Sequence, residues 1–167
     1  TGEMGIGNTT TSSPITSVLL DAPPEKVTGR GAGLSSEGLD RKIAAIKKAI
    51  ALNRPQKDDI IDVLAKVGGL DIAGMTGVFL GGAALRIPVV IDGFISSVAA
   101  LCAARMKPEA KGFMMASHLS KEPASAMVLD ALGLEGCLTC DMRLGEGTGA
   151  VTLYPILDIA IAVYNGM

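Results

Sequence analysis

The chain is predicted to be an α/β protein with a parallel sheet flanked by helices. Three observations predict it. Short, continuously apolar runs such as "IPVVID" and "FMMASH" end in polar residues, as buried parallel strands do. Helical segments alternate with those runs. The loops after the runs, "DGF", "SHLSKEP" and "RLGEGTG", collect polar and charged side chains where ligands bind in open α/β sheets.

In chain order, residues 1–13 have the Gly, Ser, Thr and Asn content of a loop that offers backbone N–H groups and hydroxyls. "PITSVLL" places Pro14 where a first helical turn tolerates it, so a helix is expected from there to about Leu20. A second glycine loop, "TGRGAG", leads into a helix over Ser36 to Asn53, with Leu39, Ile43, Ile46 and Ile50 at helical spacing and Arg41, Lys42, Lys47 and Lys48 off that face. Asp58 and Asp59 mark the next helix start, with Ile61, Leu64 and Val67 following and Gly68-Gly69 as the stop. A helix from Asp71 to Leu85 carries Gly77 and Gly81 four apart, a spacing that admits another backbone closely. The strand "IPVVID", the helix "GFISSVAALCAARM", the strand "FMMASH" and the helix "EPASAMVLDALG" follow. "LTCDMR" is expected as a third strand, and Thr152 to Tyr164 as a closing helix.

At 167 residues and 49% hydrophobic content the chain is long enough to bury a core, and residues 1–167 are expected to form one domain. With 3% aromatic residues and no Trp, that core must be built from small and aliphatic side chains. A net charge of −2 without a basic block argues against a nucleic-acid partner. The most apolar region, Leu70 to Ala104, is interrupted by Asp71, Arg86 and Asp92, which argues against a membrane span there. Three Cys and no secretory pattern at the start point to a reducing, cytoplasmic setting. The chain opens inside a glycine loop without an initiator Met and reads as a portion of something longer.

Several residues have the chemistry of a site. The loops "GEMGIGNTT" and "GRGAGLSS" can wrap a phosphate with backbone amides, and Lys42 lies one turn into the helix after the second. Neither loop is a Walker P-loop, and "GRGAG" is only loosely a dinucleotide fingerprint because no apolar strand leads into it; tight turns are the competing reading. Glu146 and Glu3 are carboxylates set among glycines, sterically open as a general base must be, though a solvated loop carboxylate has the same surroundings. Asp92 at the end of "VVID" suits either a sugar hydroxyl or a helix cap. His118, the one histidine, is a proton carrier or a hydrogen-bonded structural residue. Cys137 and Cys140 form a C-x-x-C that would need further ligands, from Cys102 or His118, to hold zinc; Met114 and Met115 read as core filling.

Taken together, "GEMGIGNTT", "GRGAGL", "DVLAKVGG", "VVIDGF", "SHLS" and "MRLGEGTGA" resemble the nicotinate-nucleotide:dimethylbenzimidazole phosphoribosyltransferase family, in order through essentially the whole chain but over only the C-terminal half of that family's usual length. The resemblance implies a Rossmann-like three-layer fold, present in part, and a transfer of phosphoribose from nicotinate mononucleotide to dimethylbenzimidazole. It implies inversion of the anomeric carbon, α-ribazole 5'-phosphate and nicotinate as products, and a place in assembly of the cobalamin lower ligand. No cofactor and no metal is implied, and a homodimer is. On the family's motifs Glu146 takes the role of general base and Glu3 that of the acidic residue of the nucleotide site. Gly5, Asn8, Thr9, Gly31 and Lys42 fall where nucleotide and phosphate are held, Asp92 near the ribose, and Ser120 near the benzimidazole. The "TTTSSP" after the first loop and the Cys pair depart from the family pattern. A catalytically incomplete nucleotide-binding portion of such an enzyme is the alternative. A dinucleotide-dependent oxidoreductase built on "GRGAG" is a more distant one.

Overall fold

The structure is a computed structural model and describes residues 1–167. Its elements are helices α1 (Thr9–Leu20), α2 (Pro24–Val27), α3 (Ser36–Asn53), α4 (Ile60–Val67) and α5 (Leu70–Leu85), strand β1 (Val89–Ile91), α6 (Phe94–Met106), a 3-10 turn (Pro108–Phe113), strand β2 (Met114–Ala116), α7 (Ser125–Leu132) and α8 (Thr148–Gly166).

The sheet is small and parallel, with Val89 opposite Met114, Val90 opposite Met115 and Ile91 opposite Ala116. Period-two alternation sends its side chains to two different layers. Ile91, Met114 and Ala116 join the main core around α6, whereas Val90 packs with Ala150 and Leu153 of α8, and Met115 sits against that second cluster. Helices therefore cover both faces, the partial three-layer α/β arrangement expected. Met114 and Met115 both fill packing space on opposite sides of it.

Helix α6 is the centre of the main core, buried continuously from Phe94 to Ala104. Its alanines permit close packing by neighbouring helices. Phe79 and Ile72 from α5, Val128 and Leu132 from α7, and Ile15 and Leu19 from α1 all belong to the same apolar cluster. Burial of a Leu- or Ile-sized side chain contributes about 1.5–3 kcal/mol, so this layer carries the frame on which the loops are mounted.

Several elements differ from the expectation. The third strand shrinks to a single parallel bridge between His118 and Leu138, closed by Leu119 N–H to Leu138 O and Leu138 N–H to Ser117 O. Asp141, at φ +52°, leaves the extended conformation and ends any ladder through "LTCDMR". Helix α1 begins at Thr9 and holds Pro14 in its interior. The carbonyl that residue 14 would have bonded belongs to exposed Thr10, so the missing N–H leaves its orphan at the surface. Helix α8 begins at Thr148 rather than Thr152, because a carboxylate from the end of β1 caps it early.

The faces of three helices are also revised. In α4 the buried residues are Ile60, Val63 and Val67, with Ile61 turned outward and Asp59 capping the Asp62 N–H at 3.0 Å. In α3 the buried stripe is Gly38, Lys42 and Ile46, so Lys42 lies on the packed face instead of off it. Gly77 and Gly81 of α5 face open space; the close approach occurs at Gly82, where a Cβ would lie 2.4 Å from Val89 Cγ2.

By length and composition α8 suffices to cross a membrane, with mean hydropathy 1.2 over its most apolar 18-residue window, of which 17% is buried. Asp158 lies within it. This helix, rather than residues 70–104, is the chain's longest exposed apolar element.

Candidate functional site

A cavity of about 630 Å³ opens where the C-terminal ends of β1 and β2 meet the two glycine loops and the segment before α8. Its lining draws on all five, and each of these segments follows a strand or precedes a helix. The expected site residues Glu3, Gly5, Asn8, Thr9, Gly31, Asp92, Ser120 and Glu146 all line it. Lys42 does not.

Glu146 sits on the rim, exposed, with a left-handed backbone at φ +59° between Gly145 at φ +77° and Gly147 at φ +79°. Three consecutive left-handed residues turn the chain sharply and thrust the one side chain among them into the cavity. For a non-glycine residue that conformation costs roughly 1–2 kcal/mol. The positive φ values favour glycine at 145 and 147, and Gly2 must be glycine as well, since a Cβ on it would stand 2.3 Å from Gly147 N.

Asp92 fixes this turn. Its Oδ2 accepts the Gly147 N–H at 3.1 Å, and its Oδ1 accepts those of Gly149 at 2.7 Å and Ala150 at 3.2 Å. The cap thus goes to α8, not to the helix that follows Asp92 in sequence, and it starts α8 four residues early. Three of the roughly four acceptor positions of the carboxylate are taken. Asp92 is 2% exposed, and its own N–H is bonded to Ser96 Oγ at 3.2 Å.

On the opposite side, the amides of Asn8 and Thr9 find no acceptor within the protein at the start of α1. They form the open positive end of a helix, a natural place for an anion. Asn8 Nδ2 donates to Glu3 Oε2 and, at 3.0 Å, to Asp71 Oδ2. Burial raises the Glu3 carboxyl above its ordinary pKa; the Asn8 bond opposes this, and the charges of Asp71 and Asp92 add to it. Glu3 Oε1 lies 3.5 Å from where a Cβ on Gly145 would be, so the two loop carboxylates belong to neighbouring turns.

Lys42 braces rather than lines. Its Nζ donates to Thr9 Oγ1 at 2.8 Å and to Gly29 O at 2.9 Å, tying the first glycine loop to the second from behind. Burial lowers its pKa, with Glu122 pulling the other way. The "GRGAG" loop is entered from α2, not from a strand, so the dinucleotide fingerprint lacks its structural setting.

Ser120 is buried at the wall, its N–H bonded to Ser125 Oγ at 3.2 Å. The rim carries exposed Met4, Ile6 and Leu144, and Arg143 stands beside them. Sequence reasoning passed over these apolar residues because single exposed hydrophobics in loops carry no periodic signal. It also missed Ser117 and Gly149, whose importance depends on His118 in three dimensions. Cys137 and Cys140 are exposed, Cys102 is buried with its thiol pushed up to about 12, and no three His, Cys, Asp or Glu side chains are grouped to hold a metal ion.

Comparison with known proteins adds a second line of observation. A family model described as phosphoribosyltransferase matches residues 1–167. The chain is 59% identical over 167 residues to the nicotinate-nucleotide–dimethylbenzimidazole phosphoribosyltransferase of Acetivibrio thermocellus, covering 100% of this chain and 48% of that protein. It is 53% identical over 167 residues to the protein of the same name in Ruminiclostridium cellulolyticum, covering 100% of this chain and 47% of that one. Among solved structures, CobT from Thermus thermophilus superposes with a TM-score of 0.90 at 44% identity, over 95% of this chain and 47% of that one. The chain spans about half the length of the curated relatives it matches.

Proposed function

The chain belongs to the phosphoribosyltransferase family, and from that premise we propose that its cavity serves transfer of phosphoribose from nicotinate mononucleotide to dimethylbenzimidazole, as a step in building the cobalamin lower ligand. The observation that carries the reading is the convergence of Glu146, Glu3 and the open start of α1 on one cavity.

The reaction asks for few groups. The bond from the anomeric carbon to the pyridinium nitrogen breaks with its electron pair going to nitrogen, so nicotinate leaves without needing a proton. One benzimidazole nitrogen forms the new bond to the anomeric carbon. The other gives up its N–H proton, which Glu146 takes as general base. The phosphate finds donors in the Asn8 and Thr9 amides and the loop around Gly31, which Lys42 holds in register. Glu3, half-buried beside Gly145, supplies negative charge for the anomeric carbon as positive charge develops there. Met4, Ile6 and Leu144 offer an apolar surface to the aromatic base, with Ser120 at the wall behind.

Glu146→Gln in the full-length protein is the test. Turnover is expected to fall about a hundredfold or more while calorimetry still registers nicotinate mononucleotide. Unchanged turnover removes Glu146 from the mechanism. A second reading, a nucleotide-binding portion whose aromatic pocket is completed elsewhere, is favoured by the share of the relatives' length that the chain covers. Binding of nicotinate mononucleotide without dimethylbenzimidazole to this chain supports it. A homodimer and a cytoplasmic setting belong to the same proposal; the exposed Val151, Ile159, Ile161 and Val163 of α8 are the apolar surface such packing would cover, and sedimentation as a clean monomer at high concentration counts against it.

A further inference from the structure

His118 is 3% exposed, lines the cavity, and has no part in the reaction steps given above. The protons around it can be counted. Ser117 Oγ carries one hydrogen and donates it to the carbonyl of Asp92 at 3.0 Å, a group that can only accept. The same hydroxyl lies 2.9 Å from His118 Nδ1. With its hydrogen committed, the hydroxyl must accept there, so the imidazole proton is on Nδ1.

Nε2 then bears a lone pair. No N–H or O–H of the protein reaches it, although the ring is otherwise enclosed. Burial works against a second proton on the ring, lowering the His118 pKa against the opposing pull of Asp92. Nor can the ring swing away to find a partner. A Cβ on Gly149 would stand 2.1 Å from Nδ1, so the backbone of α8 presses on one side, and Gly93, itself in the cavity lining, borders Cε1 and Nε2 on another. Nε2 keeps its solvent contact through the cavity, so it is an acceptor that a ligand donor can take over from water.

The donors available in the proposed substrates are few. The phosphate and the carboxylate of nicotinate are acceptors, and the pyridinium nitrogen is fully substituted. The benzimidazole N–H is the proton assigned to Glu146. Two ribose hydroxyls remain. We propose that His118 is a substrate-binding residue of this site, held as the Nδ1–H tautomer so that Nε2 accepts a hydrogen bond from a ribose hydroxyl of the nucleotide. The inference rests on the reading of the site given above.

The test pairs a change in the protein with a change in the ligand. Affinities of nicotinate mononucleotide and its 2'-deoxy and 3'-deoxy analogues are measured by calorimetry on the full-length wild type, His118→Gln and His118→Phe. In the wild type one analogue is expected to bind about tenfold more weakly than the parent nucleotide. That penalty should vanish in His118→Phe and largely persist in His118→Gln, whose side-chain oxygen reaches the former Nε2 position. A merely structural defect would weaken all three ligands alike, and an equal penalty in His118→Phe and wild type overturns the proposal. Where His118→Phe fails to fold, nitrogen NMR of the wild type decides. The ring signals missing from His118→Gln should be a protonated Nδ1 and an unprotonated Nε2, the latter moving on nucleotide addition; a protonated Nε2, or one indifferent to nucleotide, overturns it. Neither readout needs turnover. Ribose recognition through His118 without transfer would therefore defeat the proposed reaction and keep this inference, and transfer without the coupling would do the reverse.

Discussion

Asp92 Oδ1 accepts the N–H of Gly149 at 2.7 Å across 57 positions of sequence, joining the end of β1 to the start of α8. With the bonds to Gly147 and Ala150, this buried carboxylate holds the C-terminal side of the turn that carries Glu146. Asp92→Asn replaces one acceptor by an N–H that faces other N–H groups. Thermal denaturation should register a loss of about 2–4 kcal/mol. Kinetics should show kcat falling with it, because the Glu146 turn loses its anchor. An Asn variant as stable as the wild type would mean that the carboxylate is not what starts α8.

Glu146 holds a left-handed backbone that a glycine would adopt without strain. Glu146→Gly should therefore raise stability, by about 1 kcal/mol, while abolishing turnover. Chemical denaturation of this variant beside Glu146→Ala separates the two contributions: the alanine keeps the strain and loses the carboxylate, so it should share the inactivity but not the gain.

Gly149 leaves no room for a side chain against His118. Gly149→Ala should destabilise by about 1–3 kcal/mol, as overpacked sites do. It should also weaken nucleotide binding by shifting the imidazole. A crystal structure of the variant with the ring unmoved would refute the second effect.

Glu3 and His118 titrate in ways that stability can report. Burial raises the Glu3 pKa in the folded state, so folding favours its proton, and the cost of ionising it grows as pH rises from the ordinary carboxylate value through the raised one. Glu3→Gln should therefore stabilise the protein at neutral pH and remove that part of the slope. His118 has the opposite arithmetic: its folded pKa is lowered, the unfolded chain binds the proton more readily, and stability declines as pH falls from the ordinary histidine value toward the lowered one. Melting curves of His118→Gln across that interval should be flatter than those of the wild type.

The frame was legible in sequence where a single segment carried its own signal. "IPVVID" and "FMMASH" are read as buried strands because each is apolar on both faces, and the structure puts Val90 and Ile91 on opposite layers accordingly. The loop carboxylates were legible for the same local reason, since glycine on either side of Glu146 marks an unusual backbone by itself. What could not be read depends on distant partners. The early start of α8 needs Asp92, the buried place of Lys42 needs Thr9 and Gly29, and the tautomer of His118 needs Ser117 and a carbonyl from the end of β1. "LTCDMR" has a strand's apolar content, but the left-handed Asp141 ends its pairing after one bridge. Residue type alone does not disclose that choice.

Helix α8 is pinned at its first turn and leaves Ile159, Ile161 and Val163 uncovered farther along. A rod clamped at one end passes torque to the clamp. Torque on its distal flank would therefore be felt at the first turn, where Asp92 binds Gly147 and Gly149 beside the loop that carries Glu146.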